Sequence, residues 1–292
     1  MFDNPRSDRI KRVAALSGRS ARKKTGLILV EGPQAVRELV RFAPAAIKDV
    51  YVTEGFVSSY ADLTAELESA TRWVHIASDQ VMAKISTEAQ GVVAVAEAGK
   101  LTEGSPPREG DFVVLLPETQ DPGNLGTLIR TADAMGASAV YLGAGTCELW
   151  NPKVIRASAG SVFHLPIRKE DYFETARVLR EGGVQLLGTA LAGDSASLDA
   201  LLLGALAEKG SALSGRHAWV FGNESRGLSL GEQEACDQLV FIPMRGDAES
   251  LNVAAAAAMC MFASSLTNSV SAAHPVSAAH PVSAAHGAGE AS

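Results

Sequence analysis

Three short polar segments, each set just after an apolar run of strand length, carry the side chains with chemistry to offer. In ETQDPGNLGTLIRTADAMG (118–136) these are Asn124 and Arg130. On a 100° helical wheel Leu125, Leu128, Ile129, Ala132 and Gly136 form one stripe, and Arg130 falls about 140° from Leu125, off that stripe. Taken alone, Arg130 reads as a solvated helix arginine, and Asn124, following Asp121-Pro122-Gly123, as a cap for exposed helix amides. In WVFGNESRGLS (219–229) a strand ends in Gly222, Asn223 and Glu224. Gly222 has no Cβ to hold off a ligand, or is a plain turn glycine; Glu224 is a site carboxylate, a surface one or a partner of Arg226. In IPMRGDAESLNVAAAAAMCMF (242–262), Ser250 reads as the N-cap of an Ala-rich helix opened by Ser250 and Asn252, whose first amides otherwise suit a ligand's polar groups.

Other routes to catalysis are missing. No G-x-G-x-x-G follows a strand, since GAGTCE (143–148) lacks the third glycine and runs into Leu-Trp-Asn-Pro. There is no G-x-x-x-x-G-K-[ST], G-x-S-x-G or H-E-x-x-H, which removes the common phosphoryl-transfer, serine-hydrolase and zinc-hydrolase arrangements. Cys147, Cys236 and Cys260 are odd in number and widely separated, a spacing that suits neither zinc nor a redox pair. No metal is expected, and the free thiols fit a reducing compartment.

The elements that must position these residues alternate. LILV (27–30), KDVYV (48–52), WVHI (73–76) and VVAVA (92–96), with helices over 33–41 and near 57–70, predict a small α/β unit. AGKLTEGSPPREG (98–110) has the composition of a linker. Strand-length runs follow at 112–116, 139–142, 162–167, 184–190, 218–221 and 239–242, with helices expected near 124–135, 151–157, 171–181, 197–208, 228–236 and 250–265. Strands apolar at nearly every position predict a mainly parallel sheet covered on both faces, with ligands beyond the strand C-termini.

A chain of 292 residues, 47% hydrophobic and 20% charged, is long enough for two domains. Its net charge of −7 argues against a nucleic-acid binder, yet residues 1–24 carry eight Lys or Arg against two acids, leaving −13 elsewhere. That block reads as a mobile terminus or as an arm contacting nucleic acid. The N-terminus has no apolar signal region, and the longest apolar run, Val253 to Ala263, is too short to cross a bilayer, so a cytoplasmic protein without a membrane segment is expected. The Ala/Ser/Pro repeat around His274, His280 and His286 predicts a disordered tail.

In order and spacing, N-L-G-T-L-I-R-T-A-D-A-M-G, F-G-N-E-S-R-G-L-S and I-P-M-R-G-D-A-E-S-L-N-V resemble the three signature motifs of the SpoU-type RNA ribose 2′-O-methyltransferases of the SPOUT superclass. NPKVIRASAGSVFHLPI (151–167) is similar to the family's stretch between the first two motifs. Residues 27–96 resemble the substrate-binding domain often fused before the catalytic one, built like an RNA-binding ribosomal protein. The resemblance implies a basic arm (1–25), an RNA substrate-binding domain (26–97), a linker (98–110), a catalytic domain with a trefoil knot (111–266) and a tail (267–292). It implies S-adenosylmethionine as cofactor, held by Thr189, Leu191, Gly222, Asn223, Ile242, Met244, Ser250 and Leu251, and a homodimer in which the first motif completes the partner's site. The implied substrate is structured RNA, ribosomal ahead of transfer RNA, with a non-catalytic RNA-binding protein as the alternative. It gives Arg130 a part at the 2′-hydroxyl. A guanidinium donates hydrogen bonds and accepts none, so stabilising charge on the 2′-oxygen or clamping a phosphate suits Arg130 better than removing a proton. Asn124 and Asn252 are expected to orient ribose and cofactor, and Glu224 to fix Arg130 or the second-motif loop. With these motifs present, the basic arm is expected to contact RNA.

Overall fold

The computed structural model describes residues 1–101, 112–190, 194–207 and 210–273, with side chains through residue 267. The expected tail beyond residue 273, most of the expected linker and the expected cofactor residue Leu191 lie outside the described residues.

The N-terminal segment is not an arm. Residues Asp8–Ala14 (α1) and Arg19–Thr25 (α2) are helices, and Ile10, Val13 and Leu16, three residues apart, are buried with Leu29, Tyr51, Val81 and Val93. Counting charge hid this apolar spacing, which forms one helical stripe. The first sheet contains β1 (Leu27–Glu31), β2 (Ile47–Val52), β3 (Val74–Ile76) and β4 (Val92–Glu97) in the order β1-β4-β2-β3, with only β2 and β3 parallel. Around it lie α3 (Pro33–Phe42), α4 (Glu54–Ser59), α5 (Ala61–Ala70) and α6 (Asp79–Ile85). The single helix expected near 57–70 is two, broken at Tyr60, whose ψ of 55° leaves the helical region.

The second sheet holds β5 (Phe112–Leu116), β6 (Val140–Leu142), β7 (Ile167–Lys169), β8 (Gln185–Thr189), β9 (Ala196–Ser197), β10 (His217–Val220) and β11 (Gln238–Phe241). Its order is β7-β6-β5-β10-β8-β11-β9, and every neighbouring pair is parallel. Strand β5 shows why such strands are apolar throughout: Phe112, Val114 and Leu116 enter one core cluster, Val113 and Leu115 another on the opposite face. Helices α7 (Pro122–Ala134), α8 (Pro152–Ala157), α9 (Tyr172–Glu181), α10 (Leu198–Leu206), α11 (Leu230–Glu234) and α12 (Val253–Ala273) complete the domain.

Two segments of this domain differ from their expected form. VFHLPI (162–167) is not a strand: Ser161–Phe163 form a 3-10 turn and β7 begins only at Ile167. Its apolar residues are buried as a plug, which a short apolar run cannot distinguish from a strand. Helix α12 continues to Ala273, past the boundary expected at 266.

The two sheets share one continuous core, in which Val36 and Leu39 of α3 belong to the same cluster as Val154 of α8 and Phe163. Ion pairs cross the seam. Arg22 is buried and donates to both oxygens of Glu148 at 2.8 and 2.6 Å. His164 sits between Asp133 (2.8 Å) and Glu38 (3.1 Å), and Arg156 pairs with Glu31.

Candidate active site at the ends of four parallel strands

Register fixes where the motif loops emerge. Val220 of β10 is level with Leu115 of β5 and Gly188 of β8, and Thr189 is level with Val240 of β11. The loops that follow these strands therefore leave one edge of the sheet together, the usual ligand end of a parallel α/β sheet.

The first loop runs into α7. Asp121, with extended backbone, is the N-cap, its Oδ1 accepting the Asn124 amide at 2.8 Å, and Pro122 occupies the first turn. That hydrogen bond, with Lys153 nearby, holds the Asp121 carboxyl below its ordinary value. Asn124 is thus not the cap it was expected to be, and its side chain is free to reach across the site. Its Nδ2 donates to Glu224 Oε1 at 3.3 Å, and its Oδ1 accepts from Asn252 Nδ2 at 3.1 Å. Glu224 also receives the amides of Gln120 (3.3 Å) and Asp121 (3.2 Å). Three side chains from three separate motifs are hence joined in one chain of hydrogen bonds.

Asn252, not Ser250, caps α12, its Oδ1 accepting from the amides of Ala254 (2.9 Å) and Ala255 (3.3 Å). Ser250 is exposed, two residues too early to cap. Gly222 is required by its own loop: a Cβ there would lie 2.3 Å from the Gly227 carbonyl carbon and 2.4 Å from the Leu228 nitrogen. Asn223 and Gly227 exchange backbone hydrogen bonds at 3.1 and 2.9 Å, and the Asn223 side chain accepts the Ser225 amide at 2.9 Å. Arg226 pairs with Glu118 (2.6 Å) and Glu232 (3.1 Å), so it is not Glu224's partner. Thr189 donates its hydroxyl to the Val220 carbonyl at 3.3 Å. Ile242 is half-buried beyond β11, while Met244 and Leu251 are exposed apolar side chains on the loop before α12.

Arg130 does not join this cluster. It is exposed, makes no ion pair among the described residues, and shares an outward face of α7 with Thr127 and Ala134. Six residues of helix put it about 9 Å along the axis from Asn124 and on a different side. Glu224 therefore holds the first-motif loop and Asn124, and not Arg130. The thiols offer no nucleophile: burial, with the charges of Glu224 and Asp121, pushes Cys147 up to about 11, burial pushes Cys236 up to about 11, and burial also raises Cys260.

Sequence reasoning missed Asp121 as a cap, Glu118 and Lys153, which shape the loops, and the seam residues Arg22, Glu148 and His164, and it offered Arg226 only as a partner of Glu224. For Asp121 the signal was present, because Asp-Pro before an apolar helical stripe marks N-cap and first turn. The others are joined only by long-range contacts.

Two family models match the chain: the SpoU rRNA Methylase family over residues 111–262 and the MRM3-like substrate binding domain over residues 7–94. The 23S rRNA (guanosine(2553)-2′-O)-methyltransferase RlmP of Bacillus subtilis is 31% identical over 262 residues, covering 89% of this chain and 97% of that protein. The 23S rRNA (guanosine-2′-O-)-methyltransferase RlmB of Bordetella pertussis is 35% identical over 247 residues, covering 81% and 96%. Among solved structures, an AdoMet-bound rRNA methyltransferase from Sinorhizobium meliloti superimposes with a TM-score of 0.72 at 29% identity, covering 88% and 94%. The SpoU methyltransferase AviRb from Streptomyces viridochromogenes, in complex with AdoMet, gives 0.72 at 28% identity, covering 90% and 100%. With its three motif loops gathered at one sheet edge and both parts of the chain matched in order, this protein belongs to the SpoU rRNA methylase family.

Proposed function

We propose that the protein transfers a methyl group from S-adenosylmethionine to a ribose 2′-hydroxyl of structured RNA in the cytoplasm, 23S-type ribosomal RNA ahead of transfer RNA. The observation that carries this reading is the hydrogen-bonded cluster Asn124, Glu224 and Asn252, which unites the three motifs at the ligand end of the sheet. Residues 26–97 with the two helices before them serve as the substrate-binding domain, and the second sheet with α7 to α12 as the catalytic domain.

The loops suit the cofactor chemically. The three motif loops carry Glu118, Asp121, Glu224, Asp247 and Glu249 against Arg226 and Arg245, a net acidic composition that favours a cationic sulfonium compound. Exposed Met244 and Leu251 offer apolar surface for an adenine, and the backbone at Thr189, Gly222, Asn223, Ile242 and Ser250 supplies polar contacts. Leu191 belongs to the same set by resemblance. When bound, the cofactor supplies a methyl group on a positive sulfur that leaves as a neutral thioether, so no leaving-group acid is needed.

The protein's task is then positioning and charge stabilisation at the 2′-oxygen. Asn124 and Asn252 orient ribose and cofactor, with Glu224 holding Asn124 and the first-motif amides, and Asn124 in turn holding Asn252. Arg130 donates to the 2′-oxygen as it gains negative charge, or to the adjoining phosphate. Because it faces away from its own cluster, it acts in the site of a second copy, and the protein works as a homodimer. An outward stripe on α12, including Met259 (45% exposed) and Phe262 (53%), is apolar surface for that contact. The trefoil knot that the family resemblance implies belongs to this reading; it is supported by a strand order in which β10 lies between β5 and β8 and β11 between β8 and β9.

Titration calorimetry with S-adenosylmethionine and methylation of a 23S RNA transcript test this reading. Saturable cofactor binding and a mapped 2′-O-methyl group are expected, and Arg130→Ala should abolish turnover while folding and cofactor affinity stay unchanged. Absence of cofactor binding would favour a non-catalytic RNA-binding protein.

A further inference from the structure

A small crevice of about 80 Å³ opens on the seam between the two domains, and its lining includes Arg19 of α2, Cys147, Glu148, Trp150 and Lys169 at the end of β7. Each domain thus contributes one cation. The carboxylate in the crevice is already engaged, because Glu148 gives both oxygens to the buried Arg22. Arg19 reaches Glu148 only at 4.0 Å with its side chain 79% exposed, and Lys169 is exposed with no ion pair among the described residues. One loosely paired cation, Arg19, and one cation without an ion pair among the described residues, Lys169, therefore share a concavity with room for several waters, a size that suits a phosphate group better than a base.

The crevice adjoins the candidate active site. Cys147 lines it, and the Cys147 amide donates to the Thr119 carbonyl of the first-motif loop at 2.8 Å. The charges of Glu224 and Asp121 are close enough to help raise the Cys147 thiol. An RNA strand whose ribose sits at the Asn124 cluster would carry its neighbouring phosphates toward this opening.

We propose that the seam crevice is a phosphate subsite, in which one phosphate of the RNA backbone is held between Arg19 of the substrate-binding domain and Lys169 of the catalytic domain. This rests on the RNA methyltransferase reading above and adds a reason for the packing and ion pairs that join the two domains. A strand gripped from both sides of the seam is registered against the site in a way that neither domain achieves alone.

The test uses the full-length protein with a 23S ribosomal RNA transcript, measuring affinity across a series of KCl concentrations for wild type, Arg19→Gln, Lys169→Gln and the double variant. Each lost phosphate contact should reduce the slope of log affinity against log salt by about 0.7–0.9, and the double variant by no more than one such contact if both cations serve the same phosphate. KM for RNA should rise several-fold with S-adenosylmethionine affinity unchanged. Lys24→Gln, which removes an exposed cation of α2 outside the crevice lining, should alter the slope less; an equal effect would mean a diffuse basic face and overturn the subsite. Unaltered slopes in a protein whose wild type binds and methylates the transcript would also overturn it. A wild type that neither binds nor methylates RNA would instead remove the functional reading. Thermal stabilisation by inorganic phosphate alone, with RNA affinity indifferent to both substitutions, would assign the crevice to a free anion and overturn the proposal.

Discussion

At the scale of single residues, Glu224 is the hub of the site although it is exposed. One oxygen accepts from the Asp121 amide and Asn124 Nδ2, the other from the Gln120 amide. Glu224→Gln keeps the shape but turns one acceptor into a donor that faces another donor. A loss of about 1–3 kcal/mol in positioning follows, so single-turnover methylation should slow about tenfold or more. Thermal melting and cofactor affinity should stay near wild type, and an unaffected rate would refute the role of the hub. The three polar residues could be picked out in the sequence by their places after strands. Their mutual contacts could not, and both expected caps, Asn124 and Ser250, lie beside the residues that cap, Asp121 and Asn252.

At the scale of elements, α2 and the segment after β6 are tied by one buried pair. Replacing Glu148 by Gln leaves the Arg22 guanidinium, with its side chain 4% exposed, without its counter-charge. Breaking such a pair costs about 3 kcal/mol, to be read as a lower urea midpoint, whereas Arg22→Leu with Glu148→Leu should recover only part of the loss, because Arg22 also donates to the Leu16 and Ser17 carbonyls. If Glu148→Gln left stability unchanged, the tie would be ornamental. Most strands and helices were legible as periodic runs. The exceptions have separate causes: α1 was obscured by its charges, the 161–163 turn by its apolar content, and the break at Tyr60 by a continuous helical pattern.

At the scale of the whole molecule, Arg130 is exposed and apart from its own cluster, and its proposed place is the site of a second copy. Arg130→Ala and Asn124→Ala are each expected to be inactive. Mixed and allowed to exchange, half the dimers carry one of each, with one intact composite site, so about a quarter of wild-type activity should return. Lack of any recovery, or a monomer by light scattering at micromolar concentration, would show that Arg130 works within its own chain.

What the amino-acid sequence determined by itself is local: two α/β units, a parallel sheet covered on both faces, polar motifs at strand ends and an arginine turned outward from α7. Burial periodicity and turn chemistry act between near neighbours, so they are written within a few residues of where they operate. Only the tertiary structure decided the strand order, the fate of the basic N-terminal segment, and the meeting of Asn124 with Glu224 and Asn252 across 100 and 128 residues. Contacts at such separation are selected by packing of the whole core after long loops have closed, and no single segment encodes its distant partner.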